Sequence, residues 1–225
     1  MSLFLRIMGA SLTVRLHANL HSRETIVTFT SPPLPTLGAL LAGGASRRMG
    51  STKADAILGG RALAAWSTAV LEAVCRSNVQ IGGEPIADLG WPRLEDLRPD
   101  AGPGAGIETA LLHAPGMAVV ICPVDMPFVP AELLRAALEH VEAGAIAAAP
   151  HHGDRWHPLC GACSPALLPH LTAWLDTGRR NLQGLFDRVG AVPICAPALA
   201  EFGAPERLLS NINTPAALAQ ANTEL

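Results

Sequence analysis

Charge is scarce in this sequence. Only 16% of its 225 residues are Asp, Glu, Lys or Arg, and the formal net charge is −3. Nucleic-acid and membrane-surface partners usually demand a basic excess, so both are disfavoured, and any cations that grip an anion must be concentrated locally. No apolar run reaches the roughly 18 residues of a membrane span. Disulfide scaffolding is equally poorly supported: five cysteines, an odd number, lie widely scattered at 75, 122, 160, 163 and 195. That usage fits a reducing compartment, and a cytoplasmic location is expected. No internal repeat or low-complexity tract stands out. The 49% hydrophobic content supports a large core and excludes disorder over most of the chain.

The first 36 residues, "MSLFLRIMGASLTVRLHANLHSRETIVTFTSPPLPT", read differently from the rest. Arg6 interrupts the apolar part and no A-x-A site follows, which argues against a secretory signal. Arg6, Arg15 and Arg23 with no acid before Glu24 leave an organelle transit peptide as a minor alternative. The preferred expectation is a loosely ordered extension over 1–36, with Met8 an alternative start and "SPPLPT" a stiff lead-in to a domain spanning 37–225.

From Leu37 short apolar runs alternate with longer segments of helical period. Strands are predicted at "LGALLA" (37–42), "SNVQIGG", "WPRLED", "MAVVICPVD" (117–125) and "AIAAAP". Helices are predicted at 61–75, after the "GPGAG" turn, at 130–144, from Pro165, near 180–188, and at the close after "NTP". Alternation of this kind predicts an α/β fold with a mostly parallel sheet covered on both faces. Ligands bind such sheets beyond the carboxyl ends of the strands, so the loops after Leu41, Ile81 and Cys122 should share one rim.

The loop after the first of these strands is the most unusual: "LGALLAGGASRRMGSTK" brings two glycines, Arg47, Arg48 and Lys53 together. A glycine turn between strand and helix presents bare amides to an anion, and guanidinium forks with an ammonium suit a triphosphate. The Walker and dinucleotide patterns both fail, because no GK[ST] follows Gly44 and Gly43 and Gly44 are adjacent. On residue chemistry alone, a tight turn with a solvated basic tail explains the stretch equally well. A C-x-x-C at Cys160 and Cys163 with His151, His152 and His157 nearby leaves a zinc site as a minor alternative, but a second C-x-x-C is absent.

The whole stretch resembles the L-A-G-G-x-S-x-R-M-G-x-D-K signature of small-molecule nucleotidyltransferases. Within that superfamily the chain is most similar to the molybdenum cofactor guanylyltransferases. "LEDLRPDAGPGAG", "ICPVDMPFVP", "WHPLCG" and "SNINTPAAL" follow in the family's order, so the likeness covers about 37 to 222. The resemblance implies a single Rossmann-like nucleotidyltransferase domain that transfers GMP from GTP to the terminal phosphate of molybdopterin, with Mg2+ as cofactor. It implies Lys53, Arg48 and Asp125 as the catalytic set, with Asp125 the metal ligand. Leu41, Ala42, Gly43, Gly44, Lys53, Gly82, Asp96 and Asp125 would bind nucleotide, and Gly104, Gly106, His157, Asn211 and Asn213 molybdopterin.

Passing contact with proteins that deliver molybdopterin or receive the product is also implied. Two departures stand out: Thr52 precedes the lysine where the family has aspartate, and Gly82-Gly83 stand where some members place asparagine. Backbone groups would have to take over the role of that side chain. CTP-using relatives tend to carry L-A-A-G, whereas this chain has glycine at 43 and 44, leaving room for a purine. Alternatives are a cytidylyltransferase, another small-molecule nucleotidyltransferase, or a GTP-binding protein that delivers cofactor without turnover. Asp125 as a helix cap, Asp96 as a solvated carboxylate, Asn213 or Thr214 as a cap of the last helix, and His157 as a turn residue are the plainer readings of those positions.

Overall fold

The structure is a computed structural model that describes residues 34–43 and 53–225, together with the backbone of three earlier strands. These are β1 (Leu3–Met8), β2 (Ser11–Leu16) and β3 (Thr25–Thr30), which pair antiparallel in that order as a sheet of their own. The other residues up to 33 of the expected 1–36 extension lie outside the described residues, and Thr36 already belongs to the next strand.

The chain then forms β4 (Thr36–Leu41), a 3-10 turn at Lys53–Asp55, the short hairpin β5 (Ile57–Leu58) and β6 (Arg61–Ala62), α1 (Leu63–Val74), β7 (Ser77–Ile81) and β8 (Arg93–Leu94). Next come α2 (Pro103–His113), β9 (Ala118–Pro123), α3 (Ala131–Glu142), β10 (Ala147–His152), β11 (Arg155–Trp156) and β12 (Gly161–Cys163). The last part holds α4 (Leu167–Asp176), α5 (Gln183–Val189), β13 (Val192–Ile194), α6 (Ala196–Phe202), α7 (Pro205–Leu208) and α8 (Pro215–Thr223).

The main sheet has the order β11-β10-β12-β9-β4-β7-β8, with β13 beside β10. Pairing is parallel from β9 through β4 and β7 to β8, and between β10 and β13. The three-residue β12 runs antiparallel to both its neighbours, β9 and β10. The expected mostly parallel sheet is therefore present, with a reversed strand inside it.

Two-residue periodicity sends alternate side chains of each central strand to opposite layers. On β9, Ala118, Val120 and Cys122 join Leu40 and residues of α1 and α3 in one core, while Val119 and Ile121 join Leu37, Ala39, Leu41 and residues of α2, α4 and α5 in the other. All six residues of β9 are buried. A strand covered on both faces needs an unbroken apolar run, and that is why this segment is so legible. Burying each large aliphatic side chain here contributes about 1.5–3 kcal/mol.

Helix starts follow from local chemistry. Proline stands in the first turn of α2, α6, α7 and α8, where its missing N–H costs nothing. Thr214 Oγ1 accepts from the Ala217 N–H at 3.1 Å and caps α8.

The reversed strand depends on a missing side chain. A Cβ at Gly161 would lie 2.3 Å from the Ala148 carbonyl oxygen and 2.9 Å from Ala149 Cβ. Gly161→Ala should therefore lower the free energy of unfolding by about 1–3 kcal/mol, the usual range for overpacking, measured as a lower urea midpoint with an unchanged m-value.

Candidate active site

Three loops leave the carboxyl end of the parallel strands side by side. Ala42 N–H donates to Ile81 O (3.0 Å), Val124 N–H to Leu41 O (3.2 Å) and Gly82 N–H to Leu94 O (2.8 Å). Each bond carries pairing just past its ladder, so the chain segments after Leu41, Ile81 and Cys122 do share one rim. They enclose a cavity of about 790 Å³ lined by Gly43, Lys53, Asp96, Gly106 and Asp125, among others.

Lys53 and Asp125 meet at its edge. Asp125 lies two residues beyond β9, and Lys53 opens the 3-10 turn. Lys53 Nζ donates to Asp125 Oδ2 at 2.7 Å, both side chains being about four-fifths covered (19% and 22% exposed). It also donates to Asn213 Oδ1. Asn213 is brought there by the Ile212 N–H, which donates to the Asp125 carbonyl at 2.8 Å. The helix-cap readings of Asp125 and Asn213 do not hold. The residue before α3 is Pro130, with no side-chain cap, and α8 is capped by Thr214. Placed on the molybdopterin side by the resemblance, Asn213 instead shares the lysine with Asp125.

On the opposite wall, glycines crowd around Asp96. A Cβ on Gly82 would lie 3.1 Å from both Asp96 Oδ2 and Gly43 Cα, and one on Gly43 would lie 3.2 Å from Asp96 Oδ2. At Gly106 it would meet Leu41 Cδ2 at 3.0 Å and Asp96 Oδ1 at 3.4 Å. Oδ1 is buried and has no hydrogen-bond partner among the described residues. An orphaned carboxylate oxygen is rare enough to need a reason, and a bound donor supplies one. Desolvation raises the carboxyl pKa of Asp96 above its ordinary 3.8. The solvated-loop reading of this residue is thereby replaced.

The loop carrying Asp96 is clamped. Leu97 N–H donates to Thr109 Oγ1 (3.1 Å), and Arg98 forks onto Glu108 (2.7 and 3.2 Å) while reaching Asp176 at 2.6 Å.

A smaller cavity of about 240 Å³ shares Pro103 and Leu159 with the first and includes Met126, His157, Asn211, Arg155 and Arg180 in its lining. Here Gln183 holds the Trp156 backbone from both sides, accepting its N–H at 2.6 Å and donating to its carbonyl at 2.8 Å. His157 is anchored through its own N–H to Pro150 O (2.8 Å). Burial first, then the charges of Arg155, His152 and His151, lower its imidazole pKa below 6.5. Gly104 lines neither cavity. A Cβ there would press within 3.2 Å of Leu175 and Leu182, so its smallness serves helix packing. Gly44, Arg47 and Arg48 lie outside the described residues.

The zinc alternative fails on strand geometry. Cys160 packs in one core and Cys163 in the other, because three residues apart along an extended chain means opposite faces. Among the described residues no trio of His, Cys, Asp or Glu gathers. Sequence reading also missed Gln80, Arg93, Arg98, Gln183, Arg155 and Arg180. Each comes from a separate element and carries no short-range pattern.

A parallel sheet with a glycine turn, a lysine and a strand-end aspartate on one rim is the architecture of a nucleotidyltransferase, and comparison with known proteins agrees. Residues 38–192 match the model of the MobA-like NTP transferase domain, and the chain belongs to that family of enzymes. Molybdenum cofactor guanylyltransferase from Cereibacter sphaeroides is 39% identical over 197 residues, covering 84% of this chain and 96% of the relative. A probable molybdenum cofactor guanylyltransferase from Deinococcus radiodurans is 34% identical over 191 residues, 83% of this chain and 94% of the relative. Among solved structures, molybdopterin-guanine dinucleotide biosynthesis protein A from Archaeoglobus fulgidus superimposes with a TM-score of 0.70 at 28% identity, over 84% of this chain and 97% of that one. The assignment to a transferase family sets aside a delivery protein without turnover. Among the described residues no helix is long and apolar enough to cross a membrane.

A carboxyl whose pKa is raised by folding stabilises the protein below its unfolded pKa and loses that contribution as pH rises through the folded value. Asp96→Asn should therefore unfold at a higher temperature than the parent near pH 7. The gain should vanish as pH falls below about 4, where both forms are neutral. Thermal unfolding scans across that range check it.

Proposed function

We propose that this enzyme transfers GMP from GTP to the terminal phosphate of molybdopterin and releases pyrophosphate. The observation that carries the reading is the meeting of Lys53 and Asp125 in the lining of the larger cavity, which shares Pro103 and Leu159 with the smaller one. Nucleoside takes the larger cavity and the pterin the smaller, and Asp125 and Met126, consecutive in sequence, line one each. The names and identities of the relatives support the same substrates.

Asp96 accepts hydrogen bonds from the N1–H and 2-amino groups of guanine, satisfying its orphaned oxygen. Gly43 and Gly106 leave the base room to approach it. Lys53, together with Arg48, holds the β- and γ-phosphates, where charge accumulates as pyrophosphate departs. Asn213 holds the lysine in place. The acceptor phosphate is already an anion at neutral pH, so no general base is required. His157 and Asn211 line the acceptor cavity and orient the pterin.

The residues fit Mg2+. Magnesium is commonly held by one or two carboxylates plus substrate phosphates and water, and Asp125 offers one carboxylate at the cavity edge. Held by Asp125, such an ion would supply charge neutralisation for the departing pyrophosphate. The Lys53 ammonium reaches Asp125.

Incubation with molybdopterin, Mg2+ and each nucleoside triphosphate tests the reading. GTP should support pyrophosphate release and CTP should not; the reverse would assign the base wrongly. Lys53→Ala and Asp125→Ala should each lower kcat by about 100- to 1000-fold with the circular dichroism spectrum unchanged.

A further inference from the structure

The turn that follows β7 is held by two residues that play no part in the chemistry described so far. Gly82 and Gly83 both have positive φ (64° and 66°), a conformation that glycine adopts without strain. A Cβ on Gly83 would also lie 2.5 Å from the Ala42 carbonyl oxygen, so a side chain is excluded there on two grounds.

Every carbonyl of residues 82–84 is engaged by a side chain, Gln80 from the interior and Arg93 from the lining of the larger cavity. Gln80, itself 2% exposed, donates through Nε2 to Gly82 O at 2.9 Å and Glu84 O at 2.7 Å. Its Oε1 accepts the Ile86 N–H at 3.2 Å. Arg93 donates through Nε to the remaining carbonyl, Gly83 O, at 2.8 Å. The two residues face each other across the β7–β8 ladder, so the clamp is built on paired strands. With its carbonyls occupied, the turn has its amides left. Gly83 and Glu84 line the larger cavity, and their N–H groups have no partner among the described residues.

We propose that Gln80 and Arg93 are specificity-positioning residues, holding the 82–84 turn so that its backbone amides donate to the 6-oxo edge of the purine. The proposal rests on the GTP reading above and deepens it. Guanine presents an oxygen acceptor at position 6, whereas adenine presents an amino donor there, which would face another donor. Asp96 reads the N1–H and 2-amino edge, and the turn reads the oxygen. Where some relatives use an asparagine side chain, this chain uses backbone amides, made rigid by Gln80 and Arg93. Buried groups left unpaired by the wrong base are what make such a site selective.

The two edges separate experimentally with inosine triphosphate, which keeps the 6-oxo group and lacks the 2-amino group. Kinetics with GTP, ITP and ATP, and calorimetric binding of GDP, IDP and ADP, would be compared for the parent, Gln80→Glu, Arg93→Ala and Arg93→Lys. Gln80→Glu keeps the acceptor for Ile86 and loses both donors. Gln80→Glu and Arg93→Ala should each reduce kcat/KM for GTP and ITP in parallel by about tenfold, through KM. ATP should be unaffected, and Arg93→Lys, which retains a donor for Gly83 O, should recover most of the loss. Equal losses for all three nucleotides, or an unchanged GTP-to-ATP ratio, overturn the proposal while leaving the GTP assignment standing. A parent enzyme without preference for GTP over ATP overturns the base reading and this proposal together. Should Gln80→Glu fail to fold, Arg93→Ala, altered at a partly exposed side chain on a two-residue strand, decides the matter alone.

Discussion

The parallel pairing of β4 with β9 is the constraint on which the site depends. Six consecutive residues of each strand stand in register, from Thr36 opposite Ala118 to Leu41 opposite Pro123. Because the strands run the same way, the chain after Leu41 and the aspartate after Pro123 emerge at the same end. No local interaction could bring Lys53 to Asp125, 72 residues away. The two apolar layers that sandwich these strands hold the register, since a slip by one residue would exchange the side chains of the two cores.

Around that axis the molecule divides its electrostatic labour. One edge gathers an ammonium, a carboxylate and an amide within contact distance, partly in water, where charge can be exchanged with an anionic substrate. The opposite wall holds a partly desolvated carboxylate with one oxygen unpartnered among the described residues. The first arrangement suits phosphates and a divalent ion, the second a neutral heterocycle with N–H donors. Polar clamps hold the second wall: Gln80 and Arg93 fix the 82–84 turn, and Thr109 and the Arg98–Glu108–Asp176 network fix the Asp96 loop. Such networks are effective at fixing geometry when every member is satisfied, because an unpaired member would be costly.

Elements whose pattern is set by burial were legible in the sequence. β9 reads as a strand because both its faces are covered, and α3 shows its apolar stripe along with Pro130 at its start and Gly144 past its end. The strand at 37–42 was placed within a residue, whereas most of the expected "GPGAG" turn is helical: α2 already begins at Pro103, with Gly102 before it at positive φ. Elements fixed by context were not. β12 is three residues long and gains strand geometry only between β9 and β10, and β13 reaches the sheet edge only because α5 ends at Gly190 beforehand. "WPRLED" contributes two paired residues, with Pro92 keeping its carbonyl in use as an acceptor for Gln80 N–H.

By itself the sequence determined the alternation of strands and helices, the two-layered burial of the central strands and the set of residue types available for binding a triphosphate. Those are properties of period and chemistry, carried by neighbours along the chain. Tertiary structure alone decided that Asn213 serves the lysine and not the cap of α8, that Cys160 and Cys163 face apart, that Gly104 packs helices, and that Gln80 and Arg93 hold the carbonyls of the 82–84 turn. Each of these depends on distances between segments remote in sequence. Such distances are set by which strands pair and which faces are buried together, and no single stretch of residues encodes them.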